Sequence, residues 1–143
     1  MKRFKFTLQK LADVKATEEE NKRIELEELD RKQKEEENKL NVLVESFDKQ
    51  KGDFEKRCET GIGKDDLKNF GDYFNYLNEE IKRQQKAVEE CTKATETCRA
   101  QLLKLINEQK VLDQMREDQL RAYNEEVQKA FDKEIEDFMQ SRM

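Results

Sequence analysis

Leu67, Phe70, Phe74, Leu77, Ile81, Gln84, Val88, Cys91, Thr95, Cys98, Leu102, Leu105, Gln109, Leu112, Arg116, Gln119 and Tyr123 follow one another in alternating steps of three and four residues. A repeat averaging three and a half residues keeps one seam of an α-helix turned toward a partner helix, the requirement of a left-handed coiled coil. The series predicts an all-α protein. A coiled coil has no pocket, so function has to be sought on surfaces and ends.

A second, shorter series precedes it: Leu26, Leu29, Gln33, Glu36, Leu40, Leu43, Phe47, Gln50 and Phe54. Upstream, Phe4, Leu8, Leu11 and Val14 line a stripe, but residues 15–23 are too polar to continue the same register cleanly. That stretch is still expected to be helical, because Glu18–Lys22 and Glu19–Arg23 place opposite charges one turn apart. Between the two series lies Glu59-Thr60-Gly61-Ile62-Gly63-Lys64-Asp65-Asp66, the one place where two glycines come close together. Glycine supplies the left-handed conformation that ends a helix, and Asp is a favoured N-cap for the next.

The architecture expected is therefore a long two-helix antiparallel coiled-coil hairpin forming a single domain over 1–143, with helix one at about 3–59, a turn at about 60–65 and helix two at about 66–140. With the turn centred near Ile62, facing residues have numbers adding to roughly 124. Phe54 then meets Phe70, Phe47 meets Leu77, Leu43 meets Ile81 and Leu26 meets Cys98, apolar against apolar. Phe4 reaches only about Leu120, so residues 123–143 are expected to overhang. At ~1.5 Å per residue the paired region would be ~80 Å long and the second helix ~110 Å.

Composition agrees. Of the 143 residues only 34% are hydrophobic and 44% are charged, against roughly 45–50% and about 25% in globular domains, which is too little apolar surface for a globular core. There is no Pro and there are only four Gly, as a long helix demands. The net charge of −5, with acids and bases interspersed, disfavours nucleic acid as a partner. No apolar run is long enough to insert in a membrane, and Met1-Lys2-Arg3-Phe4-Lys5-Phe6 lacks the features of a signal peptide, so a cytoplasmic location is expected.

Catalytic chemistry is not expected. The chain has no His, no nucleophile–base set, no phosphate-cradling loop and no metal-ligand cluster, and the implied reading is a non-enzyme without cofactors. Cys58, Cys91 and Cys98 have no metal spacing, and the last two fall on the seam, where a thiol packs as a small hydrophobe. Two surfaces stand out instead. Val127, Phe131, Ile135 and Phe138 form an apolar stripe on the overhang, which is either a frayed or self-associating end or a docking face. The first ten residues hold Lys2, Arg3, Lys5 and Lys10 and no acid. This cationic start is opposed by the helix macrodipole and reads either as ordinary solvated charge or as a basic, aromatic tip that enters a partner.

Phe4-Lys5-Phe6-Thr7-Leu8-Gln9-Lys10-Leu11-Ala12-Asp13-Val14-Lys15, the Glu/Lys-rich stretch through Ile24-Glu25-Leu26, and Gly61-Ile62 followed by Asn69-Phe70, Phe74, Leu77 and Ile81 resemble the flagellar export protein FliJ family. The resemblance implies a component of the bacterial flagellar type III export apparatus, similar to the central stalk of rotary ATPases. Such a protein binds the ring of the export ATPase, and in company with its regulator, by the end bearing both termini. It also contacts the cytoplasmic part of the export gate and escorts export chaperones. By the same resemblance it would be cytoplasmic and peripherally associated with the inner membrane at the flagellar base.

Carried onto this sequence, the gate pattern falls on Tyr73 and Leu77; further along that face the chain has Glu80 and Gln84 where some relatives are small or carry His. The ATPase positions fall on Arg3, Phe4, Phe6, Leu8, Leu11, Leu120 and Tyr123, with Val127, Phe131, Ile135 and Phe138 of the overhang added from the stripe. Three other readings compete. A structural coiled-coil spacer or self-associating adaptor would pair the overhang with its own copy. A prefoldin-type chaperone needs strands that 61–66 is too short to supply. A nucleic-acid-binding helical arm wants a basic stripe that this acidic chain lacks.

Overall fold

The computed structural model describes residues 2–142. It contains two α-helices, α1 (Gln9–Thr60) and α2 (Lys64–Ser141), and among the described residues no strand. They are joined in an antiparallel hairpin by Gly61-Ile62-Gly63, a turn shorter than the six residues expected. Gly61 ends α1 at a φ of +96°, a left-handed conformation that a Cβ strains although the space around it is open. The carbonyl of Gly63 accepts from the Leu67 amide at 3.0 Å, so glycine rather than aspartate occupies the start of α2. Asp65 and Asp66 fall in its first turn instead, where the macrodipole favours negative charge. Asp66 also pairs with Arg57 across the turn at 2.6 Å.

The chain divides into two compact units, residues 24–100 and residues 1–23 with 101–143. In the first, the two helices run antiparallel, and of the expected pairs Phe54 does meet Phe70, while the ring contact of Phe47 is with Phe74, three residues short of the expected Leu77. Phe54 packs on Phe70 at 5.3 Å between ring centroids, Phe47 on Phe74 at 5.3 Å, and Arg99 pairs with Asp30 at 3.0 Å. Edge-on aromatic contacts of this kind add to the burial of the rings themselves. Leu77, Thr95 and Cys98 are buried here. Thr95 satisfies its hydroxyl by donating to the Cys91 carbonyl one turn back at 2.9 Å, which allows a polar residue in the seam. The Gln84 amide donates to the Glu36 carbonyl at 3.0 Å and to the Glu36 carboxylate. Leu67, where the long series begins, is half exposed; the residue opposite it by the expected register is Arg57, which turns to Asp66 instead of covering it.

In the second unit the buried residues are Phe6, Leu102, Leu105 and Leu112. The polar segment 15–23 does keep the register, contrary to the expected break. Ala12, Lys15, Glu19 and Lys22 occupy the half-buried positions, while Leu11 and Val14, expected on the stripe, are about half exposed. Lys15 and Glu19 take seam positions because each finds a partner on α2. Lys15 Nζ lies 2.8 Å from Glu108 Oε2, and the Gln109 amide donates to Glu19 at 2.8 Å. The Lys15–Glu108 approach is ionic and lacks the alignment of a hydrogen bond, and the buried Oε2 of Glu108 has no other donor.

Helix one begins six residues later than the position of about 3 expected from sequence. No acid lies in its first turn, and Lys2, Arg3 and Lys5 oppose the macrodipole there. Phe4 and Phe6 pack against α2 instead, and the Phe6 carbonyl accepts from the Gln9 amide at 3.2 Å to start the turn into α1.

Candidate functional site

Residues 2–6 form a non-helical strap along α2. The Tyr123 hydroxyl donates to the Lys2 carbonyl at 2.6 Å, and its ring lies 5.7 Å from that of Phe4. The Arg116 guanidinium sits over the other aromatic of this pair, Phe4, at 5.8 Å, a cation–π contact. Thr7 and Gln119 bond to each other through their side chains. Tyr123, expected to begin the overhang, is therefore held within the fold. The uncovered part starts after Tyr123. Beside the strap lies an open cleft of about 900 Å³ lined by Lys2, Arg3, Lys5, Ala122, Tyr123 and Glu126, among others.

The expected ATPase-binding residues divide by accessibility. Phe6 is 8% exposed and belongs to the core. Phe4, Leu8, Leu120 and Tyr123 are half-buried, and Arg3 is exposed. Leu11, Val127, Phe131, Ile135 and Phe138 are all exposed, with Phe131 at 55%. The Arg142 guanidinium covers part of the Phe138 ring at 4.7 Å. Helix α2 thus continues past its own partner with four large apolar side chains uncovered at helical spacing.

In the unit containing the turn, Tyr73 is 41% exposed, whereas Leu77 is only 2% exposed. The two expected gate residues therefore differ in kind: the leucine is core and the tyrosine is surface. Tyr76, which the sequence reading passed over, is also exposed and stacks on Tyr73 at 6.1 Å. Its spacing of three from Tyr73 was the available signal, since i and i+3 residues share a helix face. Tyr73 borders a small groove of about 270 Å³ with Gln50, Arg57, Asp66, Asn69 and Phe70. Glu80 binds Arg83 on its own helix and Gln84 is turned to Glu36, so neither extends the tyrosine surface.

Four titrations are displaced by this packing. The amide of Gln84 holds the Glu36 carboxyl below the usual glutamate range, helped by Lys39. Glu108 is lowered chiefly by Lys15, whose own ammonium is raised by Glu108. Glu19 is lowered by Gln109 and then by Arg23. All of these stabilise the charged forms present at neutral pH and none creates a group poised for proton transfer near pH 7. Among the described residues no cluster of three His, Cys, Asp or Glu could hold a metal ion, and no helix is long and apolar enough to cross a membrane.

A family model described as Flagellar FliJ protein matches residues 4–142, nearly the whole chain. The chain belongs to the FliJ family. FliJ-family proteins are components of the flagellar export apparatus. Searches of curated proteins and of solved structures found no match.

Proposed function

We propose that this FliJ-family chain acts as a stalk-like coiled coil that binds the ring of the flagellar export ATPase through the unit bearing both termini. In this reading it contacts the cytoplasmic part of the export gate through Tyr73 and escorts export chaperones, working in the cytoplasm at the inner membrane alongside the ATPase regulator. The observation that carries the ATPase reading is the exposure of Val127, Phe131, Ile135 and Phe138 on a helix that continues beyond its own partner. Large apolar side chains at helical spacing are the usual anchors of helix-in-groove recognition.

Deleting residues 126–143 is expected to leave thermal unfolding of the hairpin nearly unchanged, because those side chains are exposed, and to abolish stimulation of the export ATPase. Full stimulation by the truncated chain would move the contact to the Arg3–Phe4 strap. The gate reading has its own test, since Tyr73 lies in the other unit. Tyr73→Ala should weaken binding to the export gate and reduce motility with ATPase stimulation intact; normal gate binding by that variant would remove Tyr73 from the site. Leu77, being buried, is assigned the role of holding the helix that presents Tyr73 and Tyr76.

A further inference from the structure

The two units differ in what α1 contributes to their seams. In the unit of residues 24–100, α1 places Leu26, Leu29, Leu40, Leu43, Phe47 and Phe54 at half-buried positions. In the other unit its half-buried helical positions are Ala12, Lys15, Glu19 and Lys22, while Leu11 and Val14 are about half exposed. The apolar side chains to be covered there, Leu105 and Leu112, belong to α2. What stands beside them on α1 is polar, with Lys15 paired to Glu108 and Glu19 to Gln109. A partly exposed ion pair contributes little, and the buried Oε2 of Glu108 receives no hydrogen bond, which costs stability. From Gln9 to Arg23, α1 therefore brings no large apolar side chain of its own to the seam.

The strap supplies what that segment lacks. Among the described residues as far as Thr60, Phe6 alone is buried. Phe4 packs on Tyr123 under the Arg116 guanidinium, the Lys2 carbonyl accepts from the Tyr123 hydroxyl, and Thr7 bonds to Gln119. These fastenings all fall on Arg116, Gln119 and Tyr123, about two turns of α2. The strap borders the open cleft of about 900 Å³, so it can lift into solvent without displacing another element.

We propose that the strap is a latch. Docked, Phe4 and Phe6 hold residues 9–23 of α1 against α2. Lifted, they release that segment as one piece and uncover Leu105 and Leu112, while residues 24–100 stay paired. Such an opening draws on the least stable part of the molecule. It is a property of the chain alone, independent of whether this unit binds the export ATPase.

Native-state hydrogen exchange of the full chain tests the latch. An undocked amino-terminal extension of α1 has only local propensity to keep it helical, which is marginal in water for so short a piece, so release is read as exchange. Amides of residues 12–23 should share one opening constant, about a hundredfold or more above that of residues 40–54. Phe6→Ala should raise exchange over 12–23 by about a hundredfold, as the loss of a buried aromatic ring implies. Phe4→Ala, which removes a half-buried ring, should raise it by about tenfold. Neither variant should change residues 40–54 by more than about twofold, because sites without shared partners act independently. Lys15→Leu combined with Glu108→Leu gives the segment an apolar contact and should slow its exchange by about tenfold.

Wild-type exchange over 12–23 in Phe6→Ala overturns the latch. An increase shared equally by residues 40–54 also overturns it, since the hairpin would then open only as one body. A smooth gradient of rates from Ala12 to Arg23 is the pattern of simple fraying and excludes release as one piece. Unchanged or faster exchange in the leucine pair removes the polar seam as the source of the weakness.

Discussion

Replacing Leu77 with aspartate is expected to melt the unit that contains the turn. The side chain is 2% exposed, and it follows Phe74 by one helical turn on the same face, so a carboxylate there would be buried without a partner. Breaking the interior in that way costs several kcal/mol, of the order of the whole stability of a small domain. The milder Leu77→Ala should cost about 2–4 kcal/mol through lost burial and the cavity left behind. Tyr73→Ala, four residues away and largely in water, should stay within about 0.5–1 kcal/mol. Urea unfolding followed by circular dichroism distinguishes the three. A Leu77→Ala midpoint equal to that of the wild type would show that the seam near the turn is not packed as described.

Acid should destabilise the hairpin as a whole. Glu19, Glu36 and Glu108 have carboxyls lowered in the folded chain by Gln109 with Arg23, by Gln84 with Lys39, and by Lys15 respectively. A carboxyl whose folded pKa lies below its unfolded value contributes stability that is present above the ordinary glutamate range and is lost as pH falls through the folded values. As pH falls below the ordinary glutamate range that contribution is progressively lost, and the 29 Lys and Arg are left with progressively fewer carboxylates to offset their repulsion. The thermal midpoint at pH 3 should therefore lie below that at pH 7, and added salt should recover part of the difference.

Lys15 has the opposite sign. Its ammonium is raised by Glu108, so its contribution is present at neutral pH and is lost only as pH climbs past the ordinary lysine range. A thermal midpoint unchanged from pH 7 to pH 3 would show that these cross-helix contacts do not hold in solution. Glu36→Gln should flatten the acid side of the profile, because the Gln84 amide then faces a side chain that does not titrate.

The all-α hairpin and its antiparallel sense could be read from the sequence because they rest on local rules: a three-and-a-half-residue repeat, the absence of Pro and one glycine-bounded turn. Phe54 meeting Phe70 follows directly from that arithmetic. So does the exposure of Phe131 and Phe138, since a helix longer than its partner has nothing to cover its end. The distinction between Tyr73 and Leu77 was likewise legible, as one lies on the repeat and the other beside it.

Other features depended on which distant groups came together. The start of α1 at Gln9 was decided by Phe4 and Phe6 finding Tyr123 and the core, an enthalpy of packing that no local propensity records. The continuation of the seam through Lys15 and Glu19 was decided by Glu108 and Gln109 lying opposite, 93 and 90 positions along the chain. Hydrophobic periodicity cannot register a position that is filled by a polar side chain with a partner. Sequence thus determined the helices and their pairing, because backbone geometry and apolar spacing are properties of neighbouring residues. Only the tertiary structure decided where the strap lies and how polar residues fill the seam, because those outcomes are properties of pairs separated by most of the chain.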